Sequence, residues 1–338
     1  MRGTVSVIGG SGFLGRSIVS QLTHTFRSVR VISRHGSLGK TGSSFSNLKN
    51  IEFVSANIAD ESSIRDAIQG SESIVNLVGI LHETSAQTFE SAHVCGTRNL
   101  ANASRSSSEV KDFVQISAIG ADPLSDSKYA SSKGAAEQIL QDLAKTPLNR
   151  DAINVTILRP SVVFGPEDSF LNLFASMAKY VPVVPLIGGG ATRFQPVYVK
   201  DLAAAVQKVL EPQFHESTRA AAAISGGTSA RGEQRSMSKD AAVLVVECGG
   251  PKVYTFSELM DVLGKGMRKK LFKVSIPFWL ADLEAAVLEK LPTPLLTRDQ
   301  VKLLRRDNII AESAITLADI GVYPTPLESI IPQYSWAR

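Results

Sequence analysis

Two cysteines among 338 residues leave no basis for a disulfide scaffold. Cys95 and Cys248 are far apart and outside metal-ligand spacing, so inert thiols in a reducing compartment are expected and no metal site is. No run approaches the roughly 18 to 20 uninterrupted apolar residues of a membrane span. The net charge is only +4, without a long Lys/Arg block or interleaved aromatics, which argues against nucleic acid as a partner. No internal repeat is visible. The first apolar run begins almost at Met1, leaving no room for a signal or transit peptide; the chain works where it is made, or an address has been removed.

What is present is enough apolar residue, 43% of the chain, for a full core. It opens with Val5-Ser6-Val7-Ile8, breaks into Gly9, Gly12 and Gly15 around Phe13-Leu14, and continues into the helical-looking Arg16–Leu22. A strand, a tight turn and a helix in that order make a dinucleotide-phosphate cradle. Gly9 can take the positive φ of the turn, Gly12 admits the pyrophosphate, and Gly15 lets the helix close on the strand. The helix N–H groups and dipole then face the phosphates.

Short apolar runs alternate with helical segments as far as about residue 210, which predicts a doubly wound parallel sheet of the Rossmann type. Strands are expected at Val5–Ile8, Val29–Ser33, Ile51–Ala56, Ser73–Val78, Asp112–Ser117 and Val155–Arg159. Helices are expected near Leu14–Leu22, Ile64–Gln69, Thr88–Ala103 and Tyr129–Leu143. Residues 211–240, rich in Ser, Ala, Gly and charge, read as a flexible insertion. Residues 241–338 read as a smaller, mainly helical C-terminal lobe, with parts of 150–200 contributing. In it Thr255 and Glu258 have capping-box spacing. Ile276–Leu288 reads as an amphipathic helix beside the cations Arg268, Lys269, Lys270 and Lys273, fit for the lobe's core, a partner's surface or a headgroup boundary.

At the end of the second strand an acid would accept from the ribose of NAD. This chain has Ser33-Arg34-His35, and a hydroxyl beside a guanidinium suits the extra phosphate of NADPH. Arg16 points to the same region. Further on, Ser117 ends a strand and Tyr129 and Lys133 stand at i and i+4 of a helix. A lysine beside a phenol lowers its pKa, so that Tyr129 exchanges a proton with a carbonyl or alcohol while hydride moves to or from the cofactor. Ser117 would hold the same oxygen.

Gly9-x-x-Gly12-x-x-Gly15 with Ser117, Tyr129 and Lys133 resembles the short-chain dehydrogenase/reductase superfamily, in its extended or atypical branch. His93–Leu100 is similar to that branch's Asn-Val-x-Gly-Thr-x-Asn-Leu helix, and Arg159–Pro166 to its Arg-Pro…Gly-Pro turn near the nicotinamide. The resemblance implies that Asn57, Ile58, Val78, Gly79, Pro160 and Val163 also line the cofactor. Gly165–Asn172, Thr192–Asp201, Leu291–Gln300 and Leu317–Glu328 narrow the resemblance to one subgroup. It holds the nucleotide-binding accessory subunits of mitochondrial respiratory complex I and their bacterial relatives.

That subgroup implies NADPH held for structural reasons, without turnover. It implies a peripheral place on the matrix side of the mitochondrial inner membrane, among complex I subunits where the matrix and membrane arms meet, with phospholipid headgroups nearby. A free-standing bacterial member would be cytoplasmic. The alternative is an active NADPH-dependent reductase or epimerase on a small carbonyl or quinone-related substrate. Two departures bear on the choice: His93 replaces the helix motif's first Asn, which in active members joins a proton relay, and Asn57 replaces an acid after the third strand.

Overall fold

Strands that are apolar at successive positions need cover on both faces. In the computed structural model, which describes residues 1–34, 45, 48–145, 152–215, 243–291 and 294–337, they have it. The first six strands are β1 (Arg2–Ile8), β2 (Phe26–Ser33), β3 (Ile51–Ser55), β4 (Ser71–Asn76), β5 (Asp112–Ile116) and β6 (Asn154–Pro160). All lie parallel, and β11 (Leu244–Cys248) and β14 (Ile315–Thr316) extend the same sheet beyond β6. The order is β14-β11-β6-β5-β4-β1-β2-β3. The winding reverses between β1 and β4, and a crevice at the carboxyl ends of such a pair is where this architecture binds ligands.

Helices α1 (Phe13–Leu22) and α6 (Val199–Val209) cover one face, where Val7, Ile18, Val31, Leu202 and Val206 are buried together. The other face carries α2 (Glu61–Ala67), α3 (Gly96–Ser106) and α4 (Lys128–Lys145), with Ile32, Ile74, Leu100, Leu140 and Ile157 at its centre. Asp60 caps α2 by accepting from the N–H groups of Ser62 and Ser63. The expected Thr88–Ala103 helix begins instead as a π-helical turn, Glu90–Cys95, which runs directly into α3.

A second lobe packs around Phe164, Leu186, Phe194, Phe256, Met260, Leu263, Ile330 and Tyr334. It is assembled from α5 (Phe170–Tyr180), α7 (Phe256–Gly266), α8 (Phe278–Leu288), α9 (Arg298–Leu303), α10 (Leu327–Ile330) and three two-stranded ribbons. The ribbons pair β7 (Val163–Phe164) with β10 (Val197–Tyr198), β8 (Val183–Ile187) with β13 (Phe272–Ile276), and β9 (Arg193–Phe194) with β12 (Tyr254–Thr255). The capping box of Thr255 and Glu258 opens α7 as its spacing predicts.

Two expectations need correction. Residues 241–338 do not stay in the small lobe, because β11 and β14 return to the large sheet, where Val246 and Cys248 are fully buried. The insertion expected over 211–240 lies outside the described residues from 216 onward, and before that Phe214 is buried in the large core. Among the described residues no helix is long and apolar enough to cross a membrane.

Candidate functional site

The glycine turn is built as its spacing requires. Gly9 has φ +81°, its N–H donates to Ile32 O at 2.9 Å, and it lies against Leu77 and Val78 at the end of β4. Gly12 is the N-cap of α1; no side chain caps the helix and no acid lies in its first turn. Those N–H groups therefore face the crevice at the reversal of the sheet. A Cβ on Gly12 would meet only Gly9 O at 3.5 Å, whereas one on Gly15 would stand 2.5 Å from Gly10 C and O. Gly12 keeps room for a ligand, and Gly15 keeps the helix on the turn. The donor set and the open cradle fit a dinucleotide phosphate.

The other residues expected around a cofactor gather at the same edge. Ser33 and the exposed Arg34 end β2; Ser55 Oγ donates to Arg34 O at 3.1 Å. His35 lies outside the described residues. Asn57 is exposed after β3, and Ile58 is buried beneath Gly96, its carbonyl accepting from Asn99 Nδ2 at 2.9 Å. Gly79 follows β4 with Lys133 Nζ 3.2 Å from the place of an added Cβ. Pro160 and Val163 bracket the turn after β6. Phe13 packs under Gly165, and Arg16 forms an ion pair with Glu167 while also donating to Ser11 O at 3.3 Å. Arg16 thus ties the glycine turn to the 165–168 loop.

That loop is pinned from a distant part of the chain. The hydroxyl of the buried Tyr334 donates to Asp168 and accepts from Gly165 N–H at 2.9 Å. Trp336 Nε1 donates to Asn172 Oδ1 at 2.8 Å. Burial raises the Asp168 carboxyl, against the hydrogen bonds that hold it down.

The three proton-handling residues do not behave as their spacing suggests. The ring of Tyr129 meets Phe89 and His93 edge-on, at 5.9 and 5.7 Å between centroids. Burial pushes its phenol up to about 12, the opposite of the lowering expected from Lys133. Lys133 is itself buried, donates Nζ to Ile116 O at 3.2 Å, and is pushed down to about 8 by desolvation, with Glu137 opposing. Ser117 is likewise committed. Its hydroxyl donates to Glu137 Oε1 at 2.5 Å, and Glu137 accepts from Arg159 Nε at 3.0 Å and Nη2 at 2.5 Å. Arg159 also reaches Glu247 at 3.6 Å.

His93 stands in the middle of a short hydrogen-bond chain. Ile80 N–H can only donate, so Nε2 accepts at 3.0 Å; Nδ1 then carries the proton and donates to Ser132 Oγ at 2.8 Å. Ser132 passes its own proton to Tyr129 O at 2.8 Å. The chain ends on a carbonyl, and both imidazole nitrogens are used. Burial and the Lys133 charge hold His93 down at about 3. The unfolded chain therefore takes up a proton below about 6.5 that the folded chain refuses until about 3. This group's contribution to stability falls as pH drops through that window, by up to ~1.4 kcal/mol per pH unit. His93→Asn, which can still accept from Ile80, is expected to show a smaller loss of urea midpoint between pH 7 and pH 5 than the parent. Equal losses would mean that His93 is charged in the fold.

Reasoning from sequence missed Glu137, although it stands at i+8 and i+4 from Tyr129 and Lys133 on one helical face. It also missed the pairing of Asp168 with Tyr334, which no local spacing announces.

Residues 5–219 match the model of the NAD dependent epimerase/dehydratase family. The chain is 29% identical to NADH dehydrogenase [ubiquinone] 1 alpha subcomplex subunit 9, mitochondrial, of Arabidopsis thaliana, over 96% of this chain and 75% of that one. It is 24% identical to the NADH-ubiquinone oxidoreductase 40 kDa subunit, mitochondrial, of Neurospora crassa, over 98% and 78%. The fold is similar to dTDP-glucose 4,6-dehydratase from Bacillus anthracis solved in complex with NAD. There the TM-score is 0.68 and the identity 18%, over 98% of this chain and 96% of that one.

Proposed function

The chain belongs to the NAD dependent epimerase/dehydratase family, and from that footing we propose that it is a peripheral accessory subunit of respiratory complex I that holds NADPH without turning it over. When bound, a nicotinamide dinucleotide supplies hydride chemistry. In this reading the residues of this chain hold it and do not use it.

One contrast carries the reading. The phosphate cradle is intact, with an uncapped helix end and no acid in its first turn, while Ser117, Lys133 and His93 are each committed to other groups of the protein. Ser117 is bonded to Glu137, Lys133 to Ile116 O, and His93 to Ile80 N–H and Ser132. Burial raises the Tyr129 phenol and does not prime it to lose a proton at neutral pH, which supports the reading. Ser33 and Arg34 support NADPH over NADH, since a guanidinium and a hydroxyl suit a 2′-phosphate and repel nothing on it. The names of the Arabidopsis and Neurospora relatives support the assembly; the place at the junction of the matrix and membrane arms follows from the resemblance of the sequence alone.

The deciding experiment is gentle solubilisation of the source membranes, a native gel, and mass spectrometry to find this chain. Migration within a very large NADH-oxidising assembly, with one NADPH released per chain on denaturation, is the expected result. Migration as a small free species that reduces carbonyl compounds with NADPH overturns it in favour of the active reductase.

A further inference from the structure

Helix α8 is built inside out. Its buried positions are the small residues Ala281 and Ala285, packed against Ile187, Ile276, Phe278, Leu296 and Val301. Its large apolar residues Trp279, Leu283 and Val287 recur one turn apart, on the opposite side, and are 69%, 61% and 65% exposed. A helix that only closed a lobe would bury its large side chains and expose its polar ones. The amphipathic reading of this segment is therefore wrong in a specific way: both sides are apolar, and the richer side faces out.

The neighbouring ribbon continues the surface. Phe272 and Val274 of β13 are 56% and 51% exposed. Lys273 between them turns to the other face, where it pairs with Asp261 at 2.8 Å. Val183 of β8 lies opposite Phe272 in parallel register and shares its face. Ile187 and Ile276, further along that face, pack on the alanines of α8, so helix and ribbon present one continuous surface.

Cations border it. Lys179 stands over the exposed Tyr180 ring at 5.8 Å, Lys270 over Phe272 at 5.9 Å, and Lys269 Nζ donates to Lys179 O at 3.2 Å. Arg268, at φ +54°, turns the chain at this corner, and Lys290 follows α8. Among the described residues none of these five cations has a carboxylate partner, unlike Lys273, Arg298 and Arg305 close by.

We propose that this face seats the protein on an anionic lipid surface, with α8 lying in the plane and Trp279, Leu283 and Val287 in the acyl boundary. Five cations without a carboxylate partner among the described residues, against the exposed Glu284 on the flank of α8 and Asp282 already paired with Arg305, favour this occupant. A protein partner would have to offer an acidic rim around a matching apolar trough, and a second copy would bring the same cations together. A bilayer with acidic headgroups offers phosphate and apolar chains at adjacent depths, with aromatic residues favoured between them. The inference rests on the peripheral placement proposed above and adds the surface that makes it.

The test uses the full chain with Trp336→Phe, which leaves Trp279 as the only tryptophan. Phosphatidylcholine vesicles with and without phosphatidylglycerol are added, and co-sedimentation and fluorescence are read. Binding to the acidic vesicles, a blue shift of Trp279, and at least a tenfold loss of binding in Leu283→Glu/Val287→Glu at unchanged melting temperature are expected. Lys269→Glu/Lys270→Glu should lose only the preference for acidic lipid. Absence of vesicle binding, or binding that the glutamates leave intact, overturns the proposal. Self-association abolished by the same glutamates also overturns it, by giving the face to a second copy. The assay needs no complex I, so its failure leaves the subunit reading standing, and a free-migrating chain in the native gel leaves vesicle binding untouched.

Discussion

Gly15→Ala is expected to cost the fold about 3 kcal/mol and to empty the cradle of nucleotide, while Gly12→Ala empties it and leaves the fold alone. The two glycines lie three residues apart in one turn, but their surroundings differ. A methyl on Gly15 would sit 2.5 Å from the carbonyl carbon and oxygen of Gly10, and backbone in a tight turn cannot step aside. Helix α1 would have to lift from the turn, taking with it the contacts of Ile18, Val19 and Leu22, all fully buried. A fall in melting temperature on the order of 5–10 °C should accompany it. A methyl on Gly12 meets nothing closer than 3.5 Å within the protein. It projects into the space where a pyrophosphate would approach the helix N–H groups, and a loss of NADPH affinity on the order of 100-fold, or ~2.7 kcal/mol, follows. Calorimetry and titration on the two variants read the two effects separately. Full nucleotide content in Gly12→Ala would place the phosphates somewhere other than this turn.

The second large effect is expected at Glu137. It is 3% exposed, accepts from Ser117 and twice from Arg159, and is the acidic neighbour that favours the charged form of the buried Lys133. Glu137→Ala removes the shared acceptor and leaves two cations in the interior, with only Glu247 to answer Arg159. Breaking a buried pair in this way costs about 3–5 kcal/mol, because the partner's desolvation is no longer offset. Ser117→Ala, which removes a donor and leaves the Arg159 pairing whole, should cost only about 1 kcal/mol. Urea unfolding of both variants measures the difference. A loss under about 1 kcal/mol for Glu137→Ala would show that water solvates the pocket and that the network is incidental.

The large sheet was legible because its signal is local: short stretches dense in Val, Ile, Phe and Leu, broken by single polar residues and closed by a turn, need no knowledge of their neighbours. All six expected strands occur, displaced by at most three residues at either end, and the glycine turn takes the predicted conformation at Gly9. The small lobe was less legible because its core draws on Phe164, Phe256 and Tyr334, which belong to separate stretches of chain. The sign of the Tyr129 shift was missed for a related reason. Spacing along α4 places Lys133 beside the phenol, but it does not show that Ile116 O, from a different strand, takes the ammonium. The destination of Ser117 needed both Glu137 of α4 and Arg159 of β6 to be known. The outward face of α8 was read as a stripe without a direction, since an apolar period fixes which residues share a side and not which side is wet.

The tyrosine latch has a consequence for how the protein is made. The 165–168 loop borders the cradle through Phe13 and Arg16, yet its buried anchor, Tyr334, lies 166 residues later. At roughly 5–20 residues per second, a ribosome needs on the order of 8–30 s to deliver it after the loop itself has emerged. During that interval the glycine turn and its first helix are already synthesised, but the loop beside them has neither its hydroxyl partner nor the Trp336 tether. A nascent chain stalled short of Tyr334 would lack both anchors of that loop, and its order would come only with the late arrival of these two aromatic residues.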